Sequence, residues 1–177
     1  MDIKEIITIL NQMQRDGIID RYAIGGAVAT YLYIEPANTV DIDVFIHLRP
    51  LPGQSLVSLS PINSYLEAEG YPFNSEGCPI ISNWPVQFLP ADDPLLSEAL
   101  DQSKEIDIDG VPVRVFTPEH LAAEALRTAR PKDKIRLIRF FETKVLDESI
   151  FSSILKRHGL LDRWIQFKRN FFGKNDI

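Results

Sequence analysis

Residues 22–48 place a pair of glycines and a pair of aspartates at a spacing that restricts how this chain folds. Asp41 and Asp43 alternate with apolar residues, and a strand places alternate side chains on one face. The pattern therefore predicts a strand over residues 40–48 with both carboxylates on the same side. Two like charges in such positions repel each other unless a cation lies between them. Because Mg²⁺ prefers carboxylate and phosphate oxygens, Asp41 and Asp43 are candidate ligands of a divalent cation.

The glycine pair Gly25-Gly26 supplies the second half of the pattern. It ends the apolar run 22–24, and glycine permits a sharp turn and a close approach of the backbone to a ligand. A helix is predicted over residues 27–34, so its first N–H groups would face a phosphate. A glycine pair or an Asp-x-Asp strand is common by itself, but the two together predict a phosphate and metal site.

The arrangement resembles the nucleotidyltransferase superfamily that includes DNA polymerase β. The matching stretches are Ile-Gly-Gly-Ala at residues 24–27 and Thr-Val-Asp-Ile-Asp at residues 39–43. Within the superfamily, the sequence is most similar to the small bacterial AbiEii toxins of type IV toxin–antitoxin systems. A second patch, at residues 116–121 and 130–133, resembles the same group.

The resemblance implies an α+β fold with a mixed sheet flanked by helices, followed by a C-terminal helical segment. It also implies transfer of a nucleoside monophosphate from an NTP to a hydroxyl of an RNA, a protein or a small molecule. Mg²⁺ or Mn²⁺ would be the cofactor, and an antitoxin-like protein would be a partner. The implied catalytic and metal-binding residues are Asp41 and Asp43, and the implied nucleotide-binding residues are Gly25, Gly26, Thr39, Arg130 and Lys132.

Three positions depart from the family pattern. Gln87 stands where many members carry a third carboxylate, Ala125 where the toxin-like pattern has a lysine, and Arg136 where it has an aspartate. An amide cannot accept a proton or add charge to a metal site. An alternative hypothesis is therefore a nucleotidyltransferase fold without activity, which binds a nucleotide or a protein partner.

The charge distribution leaves a third hypothesis open. Residues 1–126 contain 6 basic and 19 acidic residues, whereas residues 127–177 contain 13 basic and 6 acidic residues. The basic segment could bind nucleic acid in a salt-dependent manner. Alternatively, the C-terminal helices neutralise the acidic part by packing against it.

The single cysteine, Cys78, and the lack of a signal-like N-terminus favour the cytoplasm. No apolar run approaches the ~20 residues that cross a bilayer, so no membrane association is expected. Cys78 itself is interpreted as structural. A second Asp-x-Asp, Asp107-Ile108-Asp109, leads into an Asp-Gly turn and is interpreted as part of a hairpin.

Periodicity and turn residues predict two segments, residues 1–116 with the sheet and residues 117–177 with helices, joined at a soft boundary. Thr117 followed by proline is a favourable start for the first helix of the second segment. The predicted helices are 2–16, 27–34, 61–69, 95–102, 118–129, 134–146, 148–158 and 161–172, and the predicted strands are 22–24, 40–48, 84–90, 105–109 and 111–116.

Overall fold

The computed structural model describes residues 3–34, 39–47 and 58–172. The helices are α1 (Ile3–Arg15), α2 (Gly26–Tyr31), α3 (Ser60–Ala68), α4 (Pro94–Asp101), α5 (Pro118–Thr128), α6 (Pro131–Glu142), α7 (Glu148–Arg157) and α8 (Leu161–Phe171). The strands are β1 (Tyr22–Ile24), β2 (Ile42–Ile46), β3 (Ile80–Ile81), β4 (Trp84–Pro90), β5 (Lys104–Ile108) and β6 (Val111–Val115). Within the described ranges, no helix has both the length and the apolar character that a membrane crossing needs.

The six strands form one mixed sheet in the order β3-β4-β2-β1-β6-β5. Strands β2 and β4 are parallel, as are β1 and β6, whereas β1 and β2 are antiparallel. The predicted hairpin is the antiparallel pair β5–β6 at one edge. The predicted α+β class with a mixed sheet is confirmed, and β4 lies beside the aspartate-bearing strand β2.

The described residues form two compact units. The first contains residues 3–28 and 39–116, and the second contains residues 29–34 and 117–172. They differ from the predicted segments in that residues 29–34 belong with the C-terminal helices. The division into a core of residues 1–116 and a helical segment of residues 117–177, joined at a soft boundary, stays a prediction.

Helix α1 contributes one apolar stripe to the core of the first unit. Ile6, Ile7, Leu10 and Met13 are fully buried, as the i, i+1, i+4, i+7 spacing on one helix face requires. The polar Asn11 lies at the edge of this stripe, and its Nδ2 donates to the Pro112 carbonyl at 2.8 Å.

The C-terminal part of the second unit is helical and begins at a well-formed cap. The Thr117 hydroxyl accepts a hydrogen bond from the His120 N–H, and Pro118 occupies the first helical position. Helices α6, α7 and α8 share a cluster of contacting aromatic rings. Its members are Phe141, Phe151, Trp164, Phe167, Phe171 and Phe172.

Several element boundaries differ from the predictions. Helix α2 ends at Tyr31 rather than at residue 34, α6 ends at Glu142 rather than at residue 146, and the short strand β3 was not predicted. The strand predicted over residues 40–48 begins only at Ile42, since Val40 is 79% exposed and the pairing with β4 starts at Ile42. Leu48 lies outside the described residues. Helix α6 begins at Pro131 rather than Lys134, because Arg130 is extended and proline fits the first helical position.

Replacing Tyr22 with phenylalanine is expected to destabilise the first unit by about 1 kcal/mol, the net contribution of one hydrogen bond. The buried Tyr22 hydroxyl donates to Asn11 Oδ1 at 2.7 Å, and burial raises the pKa of this phenol above its usual value. Urea unfolding measures the loss. Tyr71→Phe is the matched control, because the Tyr71 hydroxyl has no hydrogen bond to the described part of the chain. Equal effects of the two substitutions would contradict this account.

Candidate active site

Strand β2 carries Asp43 at the centre of the sheet, between β1 and β4. Asp43 is half-buried, whereas its neighbours Ile42 and Val44 are fully buried on the opposite face. Its carbonyl oxygen accepts a hydrogen bond from the Gly25 N–H at 3.0 Å. This bond continues the β1–β2 pairing to the point where the chain turns into α2. The carboxylate of Asp43 therefore lies next to this turn.

Gly26 lies directly against the Asp43 carboxylate. A Cβ atom on Gly26 would lie 1.7 Å from Oδ2 and 2.7 Å from Cγ of Asp43, far inside van der Waals contact. Gly26 also has a φ of +56°, which L side chains rarely adopt. Two independent constraints therefore require glycine here, and the first of them, the absence of a side chain, lets the backbone of the turn lie against the Asp43 carboxylate.

Gly25 is required for a different reason. A Cβ atom there would lie 2.4 Å from the Phe45 ring and 3.2 Å from the Phe116 ring, and these two rings pack with their centroids 4.7 Å apart. Its N–H is engaged in the sheet through the bond to Asp43. The structure thus gives Gly25 a packing role, and its predicted contact with a nucleotide stays a prediction.

Asp41 is held in place by Thr39. The Thr39 hydroxyl lies 2.9 Å from the Asp41 carbonyl oxygen, to which it donates, and 3.3 Å from Asp41 Oδ1. Asp41 precedes β2 by one residue and is half-buried. Thr39 therefore positions the segment that leads Asp41 into the strand, and its predicted contact with a nucleotide stays a prediction.

Gln87 lies beside Asp43 on the adjacent strand. The two residues are register partners in the parallel pair β2–β4, so their side chains leave the same face of the sheet. The sequence-based expectation that an amide occupies this neighbouring position agrees with the register. Gln87 contributes a neutral oxygen and no charge.

The oxygen donors of the site suit a hard cation whose coordination is completed by substrate phosphates. Across residues 3–34, 39–47 and 58–172, no three His, Cys, Asp or Glu side chains are grouped as a metal cage. Mg²⁺, however, is commonly held by one or two carboxylates together with substrate phosphates. Asp41 and Asp43 meet that requirement, and Gln87 can add an amide oxygen.

Cys78 is a neighbour of the site that sequence reasoning did not place there. Burial, followed by the negative charges of Glu76 and Asp41, raises the pKa of the Cys78 thiol. A thiol held in the neutral form is a weak nucleophile, which agrees with its structural interpretation. No sequence signal links Cys78 to Asp41, because a loop and the edge strand β3 bring them within electrostatic range.

The second Asp-x-Asp has the structural role expected from its turn. Asp107 Oδ1 accepts the Gly110 N–H at 2.8 Å, and the Asp109 carbonyl accepts a hydrogen bond from Lys4 Nζ at 3.1 Å. Asp109 has a φ of +52°, as the tight turn requires.

Arg130 and Lys132 belong to the second unit, at the start of α6. Arg130 Nε donates to Asp133 Oδ2 at 2.5 Å, and the Thr128 hydroxyl donates to the same oxygen at 2.8 Å. Arg136 Nη1 lies 3.4 Å from Asp133 Oδ1. Arg130 thus has an ion pair at the α5–α6 junction, and Lys132 is exposed. Their predicted contact with nucleotide stays a prediction.

Asp133 is the buried centre of this junction, with 1% of its side chain exposed. Burial alone would raise the pKa of its carboxyl. The hydrogen bonds from Arg130 and Thr128 and the charges of Arg130 and Arg136 outweigh burial and lower that pKa below its usual value. The second patch departs from the family pattern at Arg136 and Ala125. Arg136 is an ion-pair partner of Asp133, and Ala125 is a buried residue of α5.

Two solved structures are similar to this chain over most of its length. An antigenic nucleotidyltransferase-like protein from Paracoccidioides brasiliensis has a TM-score of 0.55 and 18% identity, covering 92% of this chain and 91% of that one. ANT(2″)-Ia in complex with adenylyl-2″-tobramycin has a TM-score of 0.52 and 18% identity, covering 89% of this chain and 98% of that one. The fold is nucleotidyltransferase-like.

This fold agrees with the resemblance of the glycine pair and the Asp-x-Asp strand to the motif of nucleotidyltransferases. No family model and no curated protein matches the sequence. The likeness defines the fold, and the activity has to be argued from the residues of the site. The closer similarity to AbiEii toxins stays a prediction.

Gly26→Ala is expected to destabilise the protein more than Gly70→Ala. Both glycines have positive φ, so both substitutions incur backbone strain of roughly 1–2 kcal/mol. A Cβ on Gly70 would meet no atom within 4 Å, whereas a Cβ on Gly26 would overlap Asp43. Thermal unfolding of the two variants measures the difference.

Asp43→Ala tests the cause of that difference, because it removes the overlapping carboxylate. In the Gly26→Ala background it should restore part of the lost stability, whereas in the Gly70→Ala background it should not. Absence of this coupling would show that Gly26 is required for its backbone conformation alone.

Asp133→Asn is expected to cost roughly 2 kcal/mol at pH 7, since it removes charged hydrogen bonds. The pKa of Asp133 is lowered in the folded protein, so its stabilising effect is present above the unfolded value of about 3.9 and is lost as pH falls through the folded pKa. The difference in free energy of unfolding between wild type and Asp133→Asn should therefore be constant above about pH 5 and become smaller only at more acidic pH.

Urea unfolding at a series of pH values measures this dependence, with the exposed Asp162→Asn as the control. A difference that narrows already near pH 6 would contradict the lowered pKa.

Proposed function

We propose that this protein is a Mg²⁺-dependent nucleotidyltransferase that moves a nucleoside monophosphate from an NTP to a hydroxyl acceptor. The observation that carries the proposal is the Asp43 carboxylate packed on Gly26 at the β1–α2 turn. That contact places a candidate metal ligand directly against the backbone of the turn, where a phosphate contact is proposed. Asp41, two residues earlier, supplies the second carboxylate.

In the proposed reaction, Asp41 and Asp43 hold Mg²⁺ or Mn²⁺ together with the phosphates of the NTP. The bound cation would neutralise phosphate charge and favour in-line attack. The acceptor oxygen forms a bond to the α-phosphorus, the bond from that phosphorus to the bridging oxygen breaks, and pyrophosphate leaves. The proton of the hydroxyl passes to water, since the Gln87 amide cannot accept it.

The roles of the surrounding residues follow from their contacts. Thr39 keeps Asp41 in position through its hydroxyl, and Gln87 places its own side-chain amide beside Asp43. Gly26 leaves room for the Asp43 carboxylate, and the turn at Gly26 is proposed as a backbone contact to phosphate. Arg130 and Lys132 are proposed as further phosphate contacts because of their charge.

A small-molecule hydroxyl is one acceptor class that the similar structures support. ANT(2″)-Ia was solved in complex with adenylyl-2″-tobramycin, so a protein with this fold accommodates an adenylylated molecule. The resemblance of residues 116–121 and 130–133 to AbiEii toxins supports an RNA or protein acceptor, and with it an antitoxin-like partner. The proposal covers all three acceptor classes.

A second candidate function rests on Gln87. Gln87 lies beside Asp43 in the sheet and is neutral, so the site has one negative charge fewer than it would have with a carboxylate at this position. With less charge to bind cations, a nucleotidyltransferase-like protein can bind a nucleotide or a protein partner without transfer. The two candidates agree on the nucleotide site and differ only in the chemical step.

Each NTP is expected to stabilise the protein only when Mg²⁺ is present, and Asp41→Asn or Asp43→Asn should abolish the effect. A ligand at about a hundred times its Kd adds roughly 2.7 kcal/mol to the free energy of unfolding. Thermal unfolding with Mg²⁺ or with EDTA measures the shift. Asp109→Asn is the matched control, because it changes the second Asp-x-Asp motif outside the site.

An equal shift in wild type and Asp43→Asn would contradict the proposed site. Transfer of label from an α-labelled NTP then separates the two candidates. Labelled product that depends on Asp43 identifies an enzyme. Nucleotide binding without product, together with product from Gln87→Glu, identifies a binding module that lacks the third carboxylate.

A further inference from the structure

The second unit contains a groove of about 320 Å³ that has no place in the proposed transfer reaction. It runs along α8, past the C-terminal end of α5 and the first turns of α6. Its volume is within the range of small-ligand sites. The polar residues that line it are Lys134 of α6 and Arg163, Gln166 and Asn170 of α8.

One face of α8 forms the wall of the groove. Arg163, Gln166 and Asn170 are spaced i, i+3 and i+7, so their side chains follow one side of the helix. Phe167 and Phe171 lie on the same side, and their rings stack with centroids 4.5 Å apart. Phe167 is buried, but Phe171 is 46% exposed, so the groove has an aromatic surface next to its polar groups.

The cations of the groove are arranged for an anionic ligand. Arg163 is fixed by a hydrogen bond from Nη1 to the Arg127 carbonyl oxygen, 2.7 Å away at the end of α5. An arginine has five N–H donors, so others remain for a phosphate. Lys134 has no ion pair with any described residue.

Among the residues that the structure describes, no carboxylate lines this groove. A larger cleft of about 710 Å³ in the same unit is lined by Lys144 and Lys168, but also by Glu142 and Glu148. Those carboxylates repel phosphate, so the smaller groove is the better match for a polyanion. Within the described part of the second unit, 12 Lys and Arg residues outnumber 7 Asp and Glu residues, which favours the approach of such a ligand.

We infer that this groove binds single-stranded nucleic acid. Lys134 and Arg163 contact the phosphate backbone, Phe171 stacks on a base, and the Gln166 and Asn170 amides reach base edges. A basic groove with an exposed aromatic ring is the arrangement that unpaired strands require, because every base has a π face. The inference does not depend on nucleotide transfer, since binding needs neither NTP nor metal.

Fluorescence anisotropy with labelled oligouridine and oligothymidine of about twelve nucleotides tests the inference, since sites of this kind cover roughly 4–16 nucleotides. The full chain is used, and EDTA is present so that the carboxylate site plays no part. Affinity should fall with salt between about 50 and 200 mM, and Lys134→Gln should reduce the slope of log K against log salt by about 0.7. Phe171→Leu should weaken binding by roughly five- to a hundredfold, as loss of one stacking ring does.

The controls are Lys168→Gln, which removes one charge from the larger cleft, and Ile165→Ala, which removes an exposed apolar side chain from α8. Both should bind like wild type, and thermal unfolding confirms that each variant is folded.

Three results would overturn the inference. One is the lack of binding to either strand at about 50 mM salt. Another is an equal loss in Lys134→Gln and Lys168→Gln, which would show diffuse attraction to the whole unit. The third is retention of full affinity in a folded Phe171→Leu variant.

Discussion

The contact between the Asp43 carboxylate and the α-carbon of Gly26 is the constraint on which the rest of the first unit depends. It requires β1 and β2 to pair so that the turn after β1 ends beside Asp43, and the Gly25 N–H bond to the Asp43 carbonyl maintains that register. It also requires a residue without a side chain in a left-handed conformation. The proposed nucleotide site follows from this geometry, because the backbone and a carboxylate meet at one point.

The negative charge of the carboxylates is balanced differently in the two units. In the first, Asp41 and Asp43 lie two residues apart, and Gln87 adds a neutral group beside them, so a cation and its phosphates can compensate the two carboxylates. In the second, the buried Asp133 is compensated by Arg130, Arg136 and Thr128. A buried carboxylate with such partners stabilises a helix junction, whereas two half-buried carboxylates close together suit a cation site.

Local patterns could be predicted because each depends on near neighbours in the chain. The apolar stripe of α1, the cap at Thr117 and the Asp-Gly hairpin need only helix or strand periodicity and turn chemistry. The beginning of β2 was placed two residues too early, because alternation at Val40 does not show that this side chain is exposed. The electrostatic effect of Asp41 on Cys78 had no signal, since it depends on how a loop and β3 are placed in the fold.

The sequence by itself determined the fold class, the residues of the glycine and carboxylate motif and the type of every element except the short strand β3, since short-range spacing encodes them. Only the tertiary structure decided what those residues contact. Gly25 serves the packing of two rings, whereas its neighbour Gly26 admits a carboxylate. The groove along α8 was equally hidden, because Lys134 and Arg163 come together only when the helices pack. Contacts between distant residues depend on strand register and helix packing, and a linear pattern does not specify either.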